Sequence, residues 1–402
     1  MAGSRLSLHA LVAANALSLL GNALAAVALP WLVLVTTGSA AKTGLTAFVT
    51  TIPFALGALF GGAVADRIGA KTTSVLGDLA SAVAAAAIPL LHLVGVLAFW
   101  QILVIGFARS VCDAPGTAAR RALVPALAED GRVSLERANS LYTGTEHFGY
   151  VLGAPLGGAL IAALGAANVL WVDAASFVFS AGLVALAVKP LALPAARVGR
   201  YVGDLVDGLR FLVGDRAIFG VVVVHSAGSF LAAWIAPVIL PVYARDVFHS
   251  AFSLGLMVGA FGVGGLLGTI TFGVMASRLD RRTTYLGSFL VYAPVTAALI
   301  PLPALAVALA ALFLLGFFAG VDVPIEQTVI QERTPAELRG RVYGLFLATA
   351  MFAVPLGMLV AGAVVEALGL GGAIATLSVG FALLAVAAVA NVRGAEAAYS
   401  RA

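Results

Sequence analysis

Twelve charge-poor runs, each long enough to cross a bilayer as a helix, take up most of this chain. They fall at 8–36, 43–65, 72–91, 95–118, 139–164, 167–188, 217–240, 251–276, 284–304, 306–328, 342–366 and 370–391. A helix needs roughly 20 apolar residues to span the hydrocarbon core of a membrane. Because 61% of the residues are hydrophobic and only 10% are charged, the pattern predicts an all-α membrane protein with twelve transmembrane helices.

The basic residues indicate which way these spans face. With a cytoplasmic N-terminus, Lys42 and Arg245 fall in outside loops and Arg109 falls within span four, while every other Lys and Arg falls in an inside connection or tail. Basic loops stay in the cytoplasm. We therefore expect both termini to be cytoplasmic. The high alanine and glycine content suggests a bacterial source, and hence the inner membrane.

The longest polar connection, residues 189–216, divides the spans into two sets of six. The predicted domains are an N-terminal six-helix bundle at 1–188, a cytoplasmic linker at 189–216 and a C-terminal six-helix bundle at 217–402. Apolar residues recur at helical spacing in the second part of the linker, opposite Asp204, Asp207 and Arg210. This pattern predicts an amphipathic helix on the membrane surface. A linker that packs against the bundle is the plainer alternative.

The two sets of spans repeat each other. The stretch GGAVADRIGAKTT at 61–73 recurs as GVMASRLDRRTT at 273–284, Asp113-Ala-Pro115 recurs as Asp322-Val-Pro324, and APLGGALIAALG at 154–165 recurs as VPLGMLVAGAVVEALG at 354–369. The second six spans are thus a copy of the first in the same orientation. Parallel repeats of this kind are the organisation of one large class of membrane transporters.

The stretch at 61–71 resembles the loop signature of the major facilitator superfamily, with matches at Gly62, Asp66, Arg67, Gly69 and Lys71. The stretches DAPGTAARRALVPAL, RANSLY, GAPLGGALIAALG, DAASFVFSA and QERTPAELRGRVYGLF resemble its drug:proton antiporter branch, which includes macrolide-efflux and enterobactin-exporter-like proteins. The resemblance implies two pseudo-symmetric six-helix bundles with a substrate path between them.

The same resemblance implies that the loop motif is a conformational latch. It pairs Arg67 with an acid in span four, where Asp113 is the only one, and pseudo-symmetry nominates Asp322 for Arg278. The predicted latch comprises Gly62, Asp66, Arg67, Gly69, Lys71, Asp78, Asp113, Arg278 and Asp322. A turn that simply ends two helices remains an alternative.

Span five carries Gly149, Gly153 and Gly157 at four-residue spacing, together with Pro155 and Gly158. Small residues let membrane helices approach closely. The stretch resembles the glycine-proline motif of exporters in the superfamily, although packing alone would also explain the ridge.

Ionisable residues within membrane spans are costly and therefore need an explanation. We expect Arg109 and Glu146 to form the leading pair in a cavity, with Glu146 as proton carrier and Glu326 as the second candidate; structural hydrogen bonds are the alternative. Asn22 can bind a polar group of the substrate, but it cannot carry a proton.

Other side chains in the spans receive structural or lining roles. We assign Asp173 to helix capping and His225 to a hydrogen bond. The substrate cavity is expected to be lined mainly by spans 1, 4, 7 and 10, with an apolar wall that comprises Phe107, Phe230, Trp234, Tyr243 and Phe317. Lipid-facing or core packing of these aromatic residues is the alternative.

These features predict a secondary exporter that exchanges a small amphiphilic substrate for protons by alternating access. The expected partners are that substrate, protons and the lipid bilayer, with no nucleic acid, and the expected state is a monomer. No nucleotide-binding loop, metal-ligand cluster or nucleophile constellation is visible in the sequence, so we predict no cofactor, no metal site and no enzymatic activity. An importer or uncoupled facilitator, and a transport-inactive membrane sensor, are the alternatives.

Overall fold

The computed structural model describes residues 2–190 and 201–394, except for the side chains of residues 2–4, 55–63, 66, 146–148, 150 and 201–205. The described chain is mostly helical, which confirms the predicted all-α class. Its α-helices are α1 Ala2–Thr37, α2 Ala40–Ile68, α3 Ala70–Leu93, α4 Phe99–Asp130, α5 Leu135–Leu164, α6 Ala166–Ala187, α7 Tyr201–Gly214, α8 Arg216–Ala232, α9 Leu240–Tyr243, α10 Ala251–Met275, α11 Arg281–Ala297, α12 Leu305–Arg333 and α13 Arg339–Gly394.

Most helix boundaries lie within a few residues of the predicted spans, but α4 is an exception. The predicted span ends at residue 118, whereas the helix continues to Asp130. The prediction treated Arg120 and Arg121 as the start of a cytoplasmic loop, but Arg120 is wholly buried. The helix continues because buried partners on other helices satisfy this arginine.

Two further departures concern the second half of the chain. Between α8 and α10 the backbone is π-helical at Ile235–Ile239 and Ala244–Phe248, on either side of α9, and such π segments are frequent at functional sites. The long α13 contains two of the predicted spans, joined at the non-helical Gly369.

Eight helices are long and apolar enough to cross a membrane when only the described residues are considered. Parts of α2 and α5 have side chains outside the described residues, so the count of twelve spans stays a prediction.

The chain forms two compact units. The first comprises Met1–Arg197 together with Ser250–Gly255, and the second comprises Val198–His249 together with Leu256–Ala402. In the first unit α1 packs against α5 and α6, α3 against α4 and α6, and α2 against α4. In the second, α8 and α11 pack against α13, and α11 also packs against α12. The domain boundaries at 189–216 stay a prediction.

The glycine ridge of α5 packs against α1. A Cβ atom on Gly153 would lie 2.3 Å from the Ala23 Cβ atom, and one on Gly149 would lie 3.3 Å from the Leu19 Cβ atom. Further along α5, Gly158 meets the backbone of Gly255, which belongs to the same unit. The ridge therefore has the packing role that its spacing indicates.

A second set of close contacts, between α10 and α12, was not predicted from the sequence. In the second unit a Cβ atom on Gly264 would lie 2.1 Å from the Phe313 carbonyl oxygen, and one on Gly268 would lie 1.9 Å from the Phe317 carbonyl oxygen. The backbones of α10 and α12 touch at these positions, where only glycine fits.

The linker helix α7 packs against α13 on one side. A Cβ atom on Gly208 would lie 3.0 Å from the Arg341 Cβ atom, and Leu212 is buried. Val206, Leu209 and Val213 remain exposed. The contact with α13 is what the alternative, a linker packed against the bundle, expects, and the position of α7 on the membrane surface stays a prediction.

Candidate functional site

Arg109 on α4 forms a buried ion pair with Asp173 on α6. Its Nε atom lies 2.8 Å from Asp173 Oδ2 and its Nη2 atom lies 2.9 Å from Asp173 Oδ1, while its Cζ atom lies 5.1 Å from the centre of the Phe177 ring. The capping role predicted for Asp173 is wrong, because its carboxylate is engaged by this guanidinium. Two parallel hydrogen bonds make this the strong, bidentate form of the contact.

Asn22 on α1 bridges Arg109 and Asp113. Arg109 Nη2 donates to Asn22 Oδ1 at 2.6 Å, and Asn22 Nδ2 donates to Asp113 Oδ2 at 2.8 Å. The preceding Gly21 lets α1 approach α6, since a Cβ atom there would lie 2.0 Å from Ser176 Oγ. The Asn22 amide thus contacts two protein side chains, one through each end, and its predicted contact with a polar group of the substrate stays a prediction.

Asp113 has different partners from the one predicted by the resemblance. Besides Asn22, Thr117 Oγ1 donates to Asp113 Oδ1 at 3.2 Å, and Arg120 Nη2 lies 3.7 Å from the same oxygen. Arg67, the predicted partner, has an exposed side chain. The pairing of Arg67 with Asp113 is therefore wrong for this structure, because Thr117 and Arg120 follow Asp113 on the same face of α4.

Arg120 lies at the centre of a second buried pair, with Asp78 on α3. Its Nη1 atom lies 2.6 Å from Asp78 Oδ1, and Ser180 Oγ donates to Asp78 Oδ2 at 2.6 Å. Arg120 also donates to Ser18 Oγ at 3.1 Å and to Asn15 Oδ1 at 3.3 Å. The spacing of residues 109, 113 and 120 along one helix face was the signal that could have identified Arg120.

We call Asp78, Arg109, Asp113, Arg120 and Asp173 the first-unit polar cluster. Both arginines and all three aspartates are buried, and the ion pairs join them across α3, α4 and α6. The described cluster thus holds three carboxyl groups and two guanidinium groups.

The surroundings of Gly62 and the side chains of Asp66 and Glu146 lie outside the described part of the structure. Their predicted roles stay predictions. Two other motif residues are described. Gly69 takes a φ of 86° between α2 and α3, a conformation that favours glycine, and Lys71 Nζ donates to the Ala185 carbonyl oxygen near the end of α6 at 2.8 Å.

In the second unit, Glu326 on α12 is held by a histidine and a tyrosine. His225 Nδ1 on α8 lies 2.6 Å from Glu326 Oε2, and Tyr285 on α11 donates its hydroxyl to Glu326 Oε1 at 3.1 Å. The ring centres of His225 and Phe346 are 4.1 Å apart. The hydrogen bond predicted for His225 therefore has the other candidate proton carrier, Glu326, as its partner.

Asp322, one turn before Glu326, accepts hydrogen bonds from the hydroxyls of Ser288 and Tyr292 on α11. Arg278, which pseudo-symmetry nominated as its partner, is exposed beyond the end of α10. That pairing is wrong for this structure, because the two hydroxyls on α11 occupy both carboxyl oxygens.

The repeat explains why the two units differ. At the offset that relates Asp113 to Asp322, Phe318 corresponds to Arg109 and Val329 corresponds to Arg120. The second unit thus keeps the aspartate of α4 but replaces both arginines with apolar residues.

A cavity of about 190 Å³ lies in the second unit beside this carboxyl pair. Its polar lining includes His225, Ser229, Tyr292, Asp322 and Glu326. Its aromatic wall consists of Phe261, Phe289, Tyr292 and Phe381. The five aromatic residues predicted to line the substrate cavity are not among those that line this one, and their predicted role stays a prediction. Helical periodicity locates apolar residues but does not say which of them face a cavity and which face lipid or protein.

Asp215 lies just before α8, outside the membrane spans, and links the start of α8 to the end of α12. Its Oδ1 atom accepts from the N–H groups of Ala217 and Ile218, and Arg333 Nη2 donates to its Oδ2 atom at 2.8 Å. Partial burial raises the pKa of Asp215, but the hydrogen bond and charge of Arg333 and the two backbone hydrogen bonds outweigh it and lower the pKa overall.

Known proteins resemble the chain along most of its length. The model of a family described as transmembrane secretion effector matches residues 5–400. The multidrug efflux pump Tap of Mycolicibacterium fortuitum is 32% identical over 379 residues, covering 92% of this chain and 91% of the relative. The enterobactin exporter EntS of Shigella boydii is 28% identical over 345 residues, covering 85% of this chain and 80% of the relative.

Solved transporter structures share the fold. The nucleoside transporter NupG superposes with a TM-score of 0.77 at 15% identity, covering 96% of this chain and 99% of that one. A bacterial homologue of the human lysosomal transporter Spinster superposes with a TM-score of 0.76 at 15% identity, covering 99% of each chain. These matches confirm the predicted superfamily, fold class and non-enzymatic character. The chain belongs to the transmembrane secretion effector family of major facilitator superfamily transporters and is a multi-pass membrane protein.

Proposed function

We propose that this chain exports a small amphiphilic or lipophilic compound in exchange for protons. In this proposal it works as a monomer in the bacterial inner membrane, with both termini in the cytoplasm. Export is supported by the relatives in Mycolicibacterium fortuitum and Shigella boydii, whose names describe an efflux pump and an exporter.

Proton coupling is supported by one observation: in each unit, the buried carboxyl groups outnumber the cationic groups by one among the described residues. The first-unit polar cluster has three aspartates and two arginines. The second-unit site has Asp322 and Glu326 but only His225 as a possible cation. Because an uncompensated charge inside a membrane protein is costly, each site favours the uptake of one proton.

Asp113 is the proton carrier that we propose for the first unit. The other two aspartates are each within 2.8 Å of an arginine nitrogen, whereas Asp113 is 3.7 Å from Arg120 and otherwise receives neutral donors. Glu146 stays an alternative carrier. Asp113 has the longest ion-pair contact of the three aspartates, so its charge is the least directly matched, and we assign the transported proton to it.

The Asn22 bridge supplies a route from proton binding to helix movement. A proton on Asp113 Oδ2, the oxygen that accepts from Asn22, makes that oxygen a hydrogen-bond donor and favours a rotation that presents the Asn22 amide oxygen to it. Since the other end of the same amide accepts from Arg109, its rotation also changes the contacts of Arg109 with Asp173. The proton on α4 thereby acts on α1 and α6.

The test is compound flux in proteoliposomes under an imposed pH gradient. The panel contains lipophilic cations, macrolides, tetracyclines and siderophores, and the proteins are wild type, Asp113→Asn and the control Glu332→Gln, whose carboxylate pairs with Arg281 at an exposed position. We expect gradient-driven flux in the wild type and the control and a loss of it in Asp113→Asn. Flux that ignores the gradient would favour a facilitator, and flux only in the opposite sense would favour an importer. The absence of flux with every compound would favour the sensor.

A further inference from the structure

We propose that Thr117 is a positioning residue for the proton on Asp113, because its hydroxyl keeps that carboxyl and Arg120 from forming a direct ion pair. This inference rests on the proposed function, in which Asp113 takes up the transported proton. All three residues lie on α4, with Thr117 four residues after Asp113 and Arg120 three residues further on. The sequence analysis did not identify Thr117.

The Thr117 hydroxyl contacts both charged groups. Arg120 Nη2 donates to Thr117 Oγ1 at 3.0 Å, and Thr117 Oγ1 donates to Asp113 Oδ1 at 3.2 Å. Arginine has only donors, so the hydroxyl must accept from Arg120, and its own hydrogen is free for the carboxylate. Arg120 Nη2 lies 3.7 Å from Asp113 Oδ1, beyond the range of about 2.7–3.2 Å for an N–H···O hydrogen bond. The two charges are therefore joined through a neutral hydroxyl.

Two other helical threonines of the first unit use their hydroxyls differently. Thr46 donates to the Lys42 carbonyl oxygen at 2.8 Å, and Thr50 donates to the Thr46 carbonyl oxygen at 2.8 Å. Such a bond to the backbone four residues earlier is a common one for threonine inside a helix. Thr117 also donates to the residue four positions earlier, but to its side chain, the carboxylate of Asp113. The charged neighbours of Thr117 thus set the direction of its hydroxyl.

Arg120 is held by several residues besides Thr117. Its Nη1 atom donates to Asp78 Oδ1 at 2.6 Å, and its Nη2 atom donates to Ser18 Oγ at 3.1 Å. A shift of less than about 1 Å would bring Nη2 within hydrogen-bond distance of Asp113. The Thr117 hydroxyl gives this nitrogen an acceptor where it stands, so the shift gains no hydrogen bond.

Arg120 is the cation that is available to Asp113. Arg109 makes two hydrogen bonds to Asp173 and is committed to that carboxylate. A nearby cation favours the ionised form of a carboxyl, so a direct pair with Arg120 would oppose the binding of a proton to Asp113. The titratable side chains that interact electrostatically with Asp113 or Arg120 also include Asp78, Cys112 and Tyr142.

The repeat supports this role for Thr117. At the offset that relates Asp113 to Asp322, Thr117 corresponds to Glu326 and Arg120 corresponds to Val329. The second unit has neither the arginine nor the hydroxyl at these positions. The threonine thus occurs in the unit where an arginine follows the aspartate on the same helix.

The test measures proton binding by infrared spectroscopy of the purified full-length protein during an acid titration. The carbonyl band that appears on acidification and is absent from Asp113→Asn reports the protonated Asp113 carboxyl. Thr117→Val replaces the hydroxyl with a methyl group of similar size, so Arg120 can pair directly with Asp113. We expect the proton affinity of Asp113 to fall roughly tenfold or more in this variant. Wild-type affinity in a folded Thr117→Val protein would overturn the proposal.

Two control variants separate this role from a packing effect, and each protein is first checked by gel filtration. Thr117→Ser keeps the hydroxyl and should titrate like the wild type. Thr46→Val makes the same change in α2, where the hydroxyl donates to its own helix, and should also titrate like the wild type. A loss in either control equal to that in Thr117→Val would refute the role of the Thr117 hydroxyl. If Thr117→Val does not fold, Thr117→Ala, which also lacks the hydroxyl, decides.

The titration needs neither an exported compound nor a gradient, so its outcome is separate from that of the flux experiment. Equal proton affinity in the wild type and Thr117→Val would refute the role of Thr117 and leave Asp113 as the carrier. A wild-type titration without an Asp113 band would refute Asp113 as the carrier, and this inference with it. The expected loss of affinity without gradient-driven flux would refute the coupled exporter and leave the role of Thr117 standing.

Discussion

Replacing Arg120 with methionine should destabilise the protein more than almost any other single change in the first unit. Arg120 is 0% exposed and donates to Asp78 at 2.6 Å, to Thr117 at 3.0 Å, to Ser18 at 3.1 Å and to Asn15 at 3.3 Å. Its loss leaves Asp78 buried and without a cation. Breaking a buried ion pair in this way costs about 3–5 kcal/mol.

The free energy of unfolding in mixed micelles measures this cost. Arg121→Met is the matched control, because it removes the same group from the next, exposed position of α4 and should change stability by no more than about 0.5 kcal/mol. The double variant Arg120→Met/Asp78→Asn should recover part of the loss, since it also removes the stranded carboxylate. Equal effects of Arg120→Met and Arg121→Met would refute the buried cluster.

Two further predictions concern stability. Asp215→Ala should cost about 1 kcal/mol at neutral pH through the lost cap of α8. Because the folded-state pKa of Asp215 is lowered, the wild type's advantage should persist above the unfolded-state pKa and disappear as the pH falls through the folded-state pKa; thermal unfolding across acidic pH checks this. Gly268→Ala should cost about 1–3 kcal/mol because its Cβ atom would lie 1.9 Å from the Phe317 carbonyl oxygen, whereas Gly287→Ala, with open space around it, should unfold at or above the wild-type temperature.

Hydropathy was sufficient to predict most of the helices, because a membrane span must be apolar along its length whatever its neighbours are. It failed at Arg120, where a basic pair looked like a loop. Whether an arginine lies in water or inside a bundle depends on carboxylates and amides on other helices, here Asp78 and Asn15. That information is not local in the sequence.

The sequence was sufficient to predict several residues of the candidate site, but not which of them pair with each other. Arg109 and Glu326 were singled out because ionisable groups in membrane spans are costly, and both make buried or half-buried polar contacts. Their partners were not predicted: Asp173 was assigned to a cap and Tyr285 was not considered. Pairing depends on the rotation and depth of each helix, which the apolar periodicity of these spans leaves open.

In the proposed mechanism, export is driven by protons bound at buried carboxyl groups, with Asp113 as the carrier in the first unit. Its most direct test is the pH inside proteoliposomes that contain a trapped pH-sensitive dye, recorded when an exported compound is added. We expect proton movement with the wild type and with Glu332→Gln, and none with Asp113→Asn. Compound flux without proton movement in the wild type would contradict proton-driven export, and wild-type proton movement in Asp113→Asn would contradict the assignment of the carrier.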